Sequence, residues 1–265
     1  MRSFTGSGEW DRLEPRVERN THELLDLLGE VGAKSTFFVL GWIARRYPRL
    51  VQRIVEEGHE LASHTDLHKQ LWSLSREDVA GELARSRDSL EQVGGTRVFG
   101  VRAPNFSISD QVLECIAEAG YWYDSSFFAL RAHGHYGRLS ADVDPDAAVT
   151  EVRPGLLELP MSRLRIGRAA LPWSGGAYFR LLPYGLFRRG VARRLSRESW
   201  FMFYLHPWEL DAHESPPAGM PLLRRLRSYA GRPRMADDLR RLLTEFGSQR
   251  VDDTLRSRGF APPAP

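Results

Sequence analysis

Two imidazoles stand four residues apart in the stretch ELASHTDLHKQ (60–70), His64 and His68, with the carboxylate of Asp66 between them. Neutral imidazoles at that spacing converge on one divalent ion if the backbone turns between them. A catalytic metal site also needs a third ligand and an open position. Hydrogen-bonded or exposed loop histidines are the alternative that H-x-x-x-H leaves open. Three further residues carry possible chemistry. Arg102, in GVRAPNFSIS (100–109), is either a charge at a sheet rim or a planar fork holding a carboxylate. Asp124, in YDSSFF, is a turn residue or a partner that orients a histidine. His206, in FMFYLHPWEL, is a core histidine or a general acid that protonates a leaving group.

The elements that must position these groups read as alternating helices and strands. Val17, Leu24, Leu27, Leu28 and Val31 recur at helical spacing over 16–31. Apolar STFFVL (35–40) follows as a strand, then a helix over 47–58 and a strand at HELASH. Ser75 is the predicted N-cap of a helix that closes on Gly94-Gly95. Strands are predicted at RVFGVR (97–102), YWYDSS, LLELP and SWFMFYLH, with a helix around 177–195 and another at RMADDLRRLLTEFG. A strand is expected near Val251, and 128–155 reads as irregular. Repeated strand–helix units predict an α/β fold with a parallel sheet, open or closed into a barrel. His64, Arg102, Asp124 and His206 each fall at or just past the C-terminal end of a predicted strand, the edge where such folds carry chemistry.

The 265-residue chain is long enough for one large α/β domain, and its 42% hydrophobic and 27% charged content is ordinary for a globular protein. Its single cysteine, Cys115, excludes an internal disulfide and reads as a buried thiol in the helical pattern VLECIAEAG. The chain contains no apolar run of spanning length and no secretory signal pattern, so a cytoplasmic location is expected. Lys34 and Lys69 are the only lysines, and the densest basic run is RRGVARRLSR (188–197). A net charge of +3 and the lack of a recognition motif argue against a nucleic-acid binder.

Five ordered segments, TFFVLGWIARRYP, GHELASHTDLH, VRAPNFSIS, YDSSFF and FYLHPWEL, together resemble the polysaccharide deacetylases of the NodB-homology type. The nearest likeness is to the subgroup associated with exosortase and exopolysaccharide systems. The similarity runs from about Trp10 to about Val251. It implies a distorted (β/α) barrel, here a single domain over 1–265 with a helical extension from about 210. It also implies removal of N-acetyl groups from an amino-sugar polysaccharide with a divalent metal, most often zinc. By resemblance, His64 and His68 are metal ligands, Arg102 steadies the base, Asp124 orients the acid, and His206 is the general acid. Pro104, Phe106, Ser125 and Trp208 are the corresponding substrate-binding positions. SGGAYFRLLPYG (174–185) matches a loop–helix feature of the same subgroup and carries no assigned role.

One part of the family pattern is absent. The family opens with a strand ending in acidic residues that supply the third ligand and the general base, and the chain is expected to begin downstream of it. Glu9 and Asp11 read as the acidic start of the first helix, and Asp66 occupies a variable position. A non-catalytic carbohydrate-binding relative, keeping Trp173, Trp208 and Phe106 as groove aromatics, is the alternative.

Overall fold

The computed structural model describes residues 10, 16–129, 139–140, 143–167, 169–217 and 219–263. Glu9 and Asp11 lie outside them. The first half alternates regularly: α1 (Arg16–Glu30), β1 (Thr36–Val39), α2 (Gly41–Arg46), α3 (Pro48–Glu56), β2 (Glu60–Ser63), α4 (Arg76–Gly94), β3 (Gly100–Val101), α5 (Asp110–Glu118) and β4 (Tyr123–Asp124). Helix α1 buries Leu24, Leu27 and Leu28 of the stripe its spacing predicts and adds Leu25, while Val17 near its start and Val31 just past its end are half-buried. Helix α4 starts where Ser75 Oγ accepts from Asp78 N at 3.2 Å and ends at Gly95, whose φ of +62° suits glycine.

The second half is less regular. It comprises β5 (Thr150–Arg153), β6 (Leu156–Glu158), β7 (Arg163–Ile166), β8 (Ala169–Pro172), α6 (Gly176–Leu181), α7 (Tyr184–Glu198), α8 (Leu222–Tyr229), α9 (Met235–Phe246) and α10 (Val251–Ser257). Three expectations are corrected here. The helix expected over 177–195 is two helices, because Pro183 stands between them as the N-cap of α7. The strand expected near Val251 is the start of α10, opened by Asp252 and Asp253 in its first turn. The strand expected at 199–206 reduces to one parallel bridge between Gly175 and Tyr204.

The main sheet has the order β1-β2-β3-β4-β6-β5, parallel from β1 through β6, with β5 antiparallel on β6. No closed barrel forms among the described residues; the sheet is open, with β1 and β5 at its edges. Strands β7 and β8 form a separate hairpin. One apolar cluster joins α1 (Leu24, Leu28) to α7 (Phe187, Val191) and α9 (Leu239, Leu242). A second packs α4 (Leu83, Leu90) and α5 (Val112, Ile116) on β2 and β3. A third joins Tyr123 and Leu157 of the sheet to Val251 and Leu255 of α10. Each fully buried leucine contributes roughly 1.5–3 kcal/mol of transfer free energy, so α9 and α10 are tied into the body by the same force as the first-half helices.

Candidate active site

Parallel pairing aligns one rung across five strands: Val39, Ser63, Val101, Asp124 and Glu158 are successive partners. The ladder then runs one residue further. His64 N donates to Val39 O, Arg102 N to Ser63 O, Ser125 N to Val101 O and Leu159 N to Asp124 O, all at 2.8–3.0 Å. His64, Arg102 and Ser125 therefore occupy one level at the C-terminal edge. Register brings them together without any sequence proximity.

Past His64 the chain turns sharply. Thr65 and His68 both adopt positive φ, 67° and 53°, a conformation uncommon outside glycine. The turn folds the His68 ring back to 5.0 Å from that of His64, at an interplanar angle of 73°. His64 Nδ1 lies 2.6 Å from the Arg102 carbonyl. A carbonyl only accepts, so Nδ1 carries the proton and Nε2 is left with its lone pair. Burial, and then the neighbouring His68, hold His64 well below the usual imidazole range; burial lowers His68 to about 4. Both rings are neutral at pH 7, the form that binds metal.

Asp66 does not join them. Its carboxylate is buried between Arg45 (2.8 Å) and Arg85 (3.3 Å), tied to α2 and α4. Among the described residues no third histidine, cysteine or carboxylate completes a metal-holding group. The two imidazoles fit a divalent ion as a pair of nitrogen donors: neutral, adjacent, and in His64 with the tautomer set by its backbone bond.

Arg102 is buried, and it donates to Ser125 through Nε to the carbonyl at 2.9 Å and Nη2 to Oγ at 2.8 Å, with a longer contact from Nη2 to Met202 Sδ at 3.8 Å. Its guanidinium lies 4.1 Å over the Phe38 ring and 5.7 Å from that of Tyr204. Among the described residues no carboxylate pairs with it, and burial lowers its pKa to about 10. Ser125 is itself buried behind this contact, its hydroxyl donating to Leu159 O.

Asp124 faces its register partner Glu158, and both are fully buried. Asp124 Oδ1 accepts from Ser126 Oγ at 2.5 Å, and Glu158 Oε1 accepts from Phe127 N at 2.9 Å. The remaining oxygens, Asp124 Oδ2 and Glu158 Oε2, have no other partner. Burial raises Asp124 to about 6; burial and the Asp124 carboxylate raise Glu158 well above the usual range. The pair holds one proton at neutral pH. Glu158 escaped the sequence reading because only strand register reveals it.

His206 stands beyond the Tyr204 bridge, half-exposed, with its ring 6.1 Å from Tyr204 and stacked at 5.6 Å on Trp208. Its hydrogen-bond partner is Glu209, three residues on, with Nδ1 3.2 Å from Oε1. Asp124 makes no such contact. Tyr204 links His206 to Arg102, whose carbonyl meets His64, and the charge of His206 contributes to lowering both His64 and His68. Pro104 is buried in a short 3-10 turn, where Asn105 and Phe106 both take positive φ (54° and 56°). Phe106 packs on Phe128 and Tyr204 at 5.2 and 5.4 Å. Trp173 lies in the core, stacked on Phe187 and donating to its carbonyl at 3.1 Å.

Residues 10–123 match the model of the polysaccharide deacetylase family. The first half of the chain thus carries a match to a polysaccharide deacetylase domain. Residues 125–256 match a domain of unknown function, DUF3473. The join falls inside β4, so the two matched segments share one sheet; the candidate residues His64, His68 and Arg102 lie in the first and Ser125, Glu158 and His206 in the second. A "Chitooligosaccharide deacetylase" of Sinorhizobium fredii is 33% identical over 52% of this chain and 64% of its own length. A "Peptidoglycan-N-acetylglucosamine deacetylase" of Bacillus cereus is 34% identical over 38% of this chain and 47% of its own. The chain thus spans less than two thirds of these curated relatives. A Mycobacterium smegmatis structure named provisionally as a polysaccharide deacetylase shares the fold, with a TM-score of 0.62 and 23% identity over 93% of this chain and 80% of that one. A CE4 family pseudoenzyme from Bacillus anthracis also shares it, with a TM-score of 0.52 and 13% identity over 90% of this chain and 61% of that one. No described helix is long and apolar enough to cross a membrane.

Proposed function

We propose that this chain is a zinc-dependent deacetylase of an N-acetylated amino-sugar polymer, an exopolysaccharide or related glycan. The observation that supports it is a pair of neutral imidazoles beside a buried arginine at the C-terminal edge of the sheet, with half-exposed His206 near enough for its charge to act on both rings. His64 and His68 would hold the ion. Bound there, a divalent cation would supply Lewis-acid polarisation of the acetyl carbonyl, whose carbon takes the oxygen of a water molecule as its bond to nitrogen breaks, releasing acetate. His206 gives the proton from Nε2 to the departing amine nitrogen, so that the sugar leaves as a neutral amine rather than an amide anion. Arg102 keeps a fixed positive charge behind the site, where it draws a carboxylate base into position. No described residue is assigned as that base.

The relatives named above act, by their names, on chito-oligosaccharide and peptidoglycan, and both polymers present N-acetylglucosamine. Acetate release from N-acetylglucosamine oligomers in the presence of zinc is the test. Wild-type protein is expected to release acetate and His206→Ala to lose at least about 10²-fold of the rate. A second reading, a carbohydrate-binding relative without turnover, is favoured by one observation: the described residues supply only two ligands. Oligomer binding with no acetate from the wild type would select it.

A further inference from the structure

We propose that Glu209, buttressed by Arg180, is the positioning residue for His206, fixing the ring proton on Nδ1 so that Nε2 alone handles the transferred proton. The inference rests on His206 being the general acid. It is carried by three linked contacts at Glu209, two within the HPWE turn and one from Arg180 of the SGGAYFRLLPYG segment. Glu209 Oε1 accepts from His206 N at 3.1 Å and lies 3.2 Å from His206 Nδ1. Arg180 Nε donates to the other oxygen, Oε2, at 2.8 Å. Arg180 is in turn immobilised through Nη1 to Ala230 O (2.6 Å) and Nη2 to Arg227 O (3.0 Å).

Both members of the supporting ion pair are out of solvent, with side-chain exposures of 0% for Arg180 and 3% for Glu209. Burial alone would push the Glu209 carboxyl up. The hydrogen bonds and charges of His206 and Arg180 outweigh it and hold Glu209 below the usual range, hence ionised. An ionised carboxylate accepts only, so the hydrogen between it and the imidazole belongs to Nδ1. Space for the carboxylate is made by Gly176, where a Cβ would stand 2.6 Å from each Glu209 oxygen. Trp208, stacked on the ring, restricts its rotation.

The imidazolium breaks its Nε2–H bond as the amine nitrogen gains that hydrogen, and Nδ1–H stays hydrogen-bonded to Glu209 throughout. Asp124, the residue a resemblance would nominate for this task, spends its contacts on Ser126 and Glu158 instead.

The experiment is nitrogen-15 NMR of the full chain labelled at histidine, with the His206 signals identified by their loss in His206→Ala. It needs neither metal nor substrate. In the wild type the neutral His206 ring is expected to carry its proton on Nδ1. In Glu209→Gln the amide oxygen turns to Arg180 and the NH2 group to His206, so Nδ1 must accept and the proton is expected on Nε2. A wild-type ring protonated on Nε2 overturns the proposal, as does a Glu209→Gln ring that keeps its proton on Nδ1. If Glu209→Gln does not fold, the wild-type tautomer decides. In the acetate assay Glu209→Gln is expected to lower kcat by about 10²- to 10⁴-fold with KM unchanged. A wild type that releases no acetate would remove the deacetylase reading while the tautomer still reports on Glu209.

Discussion

Arg102 separates a functional charge from a structural one. Its guanidinium donates to a carbonyl and a hydroxyl and lies over an aromatic ring, with no described carboxylate beside it. A buried cation of this kind adds little to stability, since its desolvation offsets its hydrogen bonds. Arg102→Met keeps the volume, removes that desolvation, and leaves Ser125 O without its donor at about 1–3 kcal/mol. The net change in unfolding free energy is expected to be within about 1.5 kcal/mol by urea denaturation, while acetate release falls by at least about 10²-fold. A large stability loss would make Arg102 a structural residue.

At the scale of elements, the tightest joint is between β3 and β4. A Cβ on Gly100 would fall 1.9 Å from Tyr123 Cζ, and Tyr123 cannot retreat because its hydroxyl donates to buried Glu60 at 2.9 Å. Gly100→Ala is expected to cost at least about 3 kcal/mol by urea unfolding, with loss of the Arg102 level just beyond it. A cost under 1 kcal/mol would show that Tyr123 moves freely. The helices of the first half were legible because 3.6-residue periodicity and caps such as Ser75 are local signals. His64, Arg102 and Asp124 could be placed at strand ends because short apolar runs are local signals too. What stayed hidden depends on pairing across the chain. Glu158 is known as the neighbour of Asp124 only through register, and β5 and the β7–β8 hairpin hold charged or exposed residues such as Glu151 and Arg165 that mask a strand pattern. Near Val251 an apolar residue after a loop suggested a strand, and the two following aspartates start a helix. Glu209 lay in a quoted motif, three residues from His206; its role needed Arg180, 29 positions upstream.

Across the whole molecule, buried carboxylates couple stability to pH. Glu60 sits at the opposite, N-terminal end of β2, where it accepts from Thr36, Tyr123 and Asp252 N. Burial, with the Asp252 charge adding to it, raises Glu60 from 4.5 to about 7. The folded state therefore holds this proton after the unfolded chain has released it. Stability from Glu60 is full below pH 4.5 and is lost as pH rises through 7, an effect of about 3 kcal/mol. Glu60→Gln keeps an oxygen for Thr36 and Asp252 and turns its amide to the Tyr123 hydroxyl. Buried His64 and His68 titrate with the opposite sign, so the test is the difference between the two proteins: urea unfolding from pH 4.5 to 8 is expected to show the wild type losing stability relative to Glu60→Gln as pH rises, and a difference that does not change with pH would mean Glu60 titrates normally.

The two imidazoles that the Thr65–His68 turn folds together are the centre of the proposed site. Zinc content after equilibrium dialysis tests them: about one ion per chain is expected for the wild type, and loss of that ion in the His64→Ala/His68→Ala double variant. Zinc retained in full by the double variant would contradict the site.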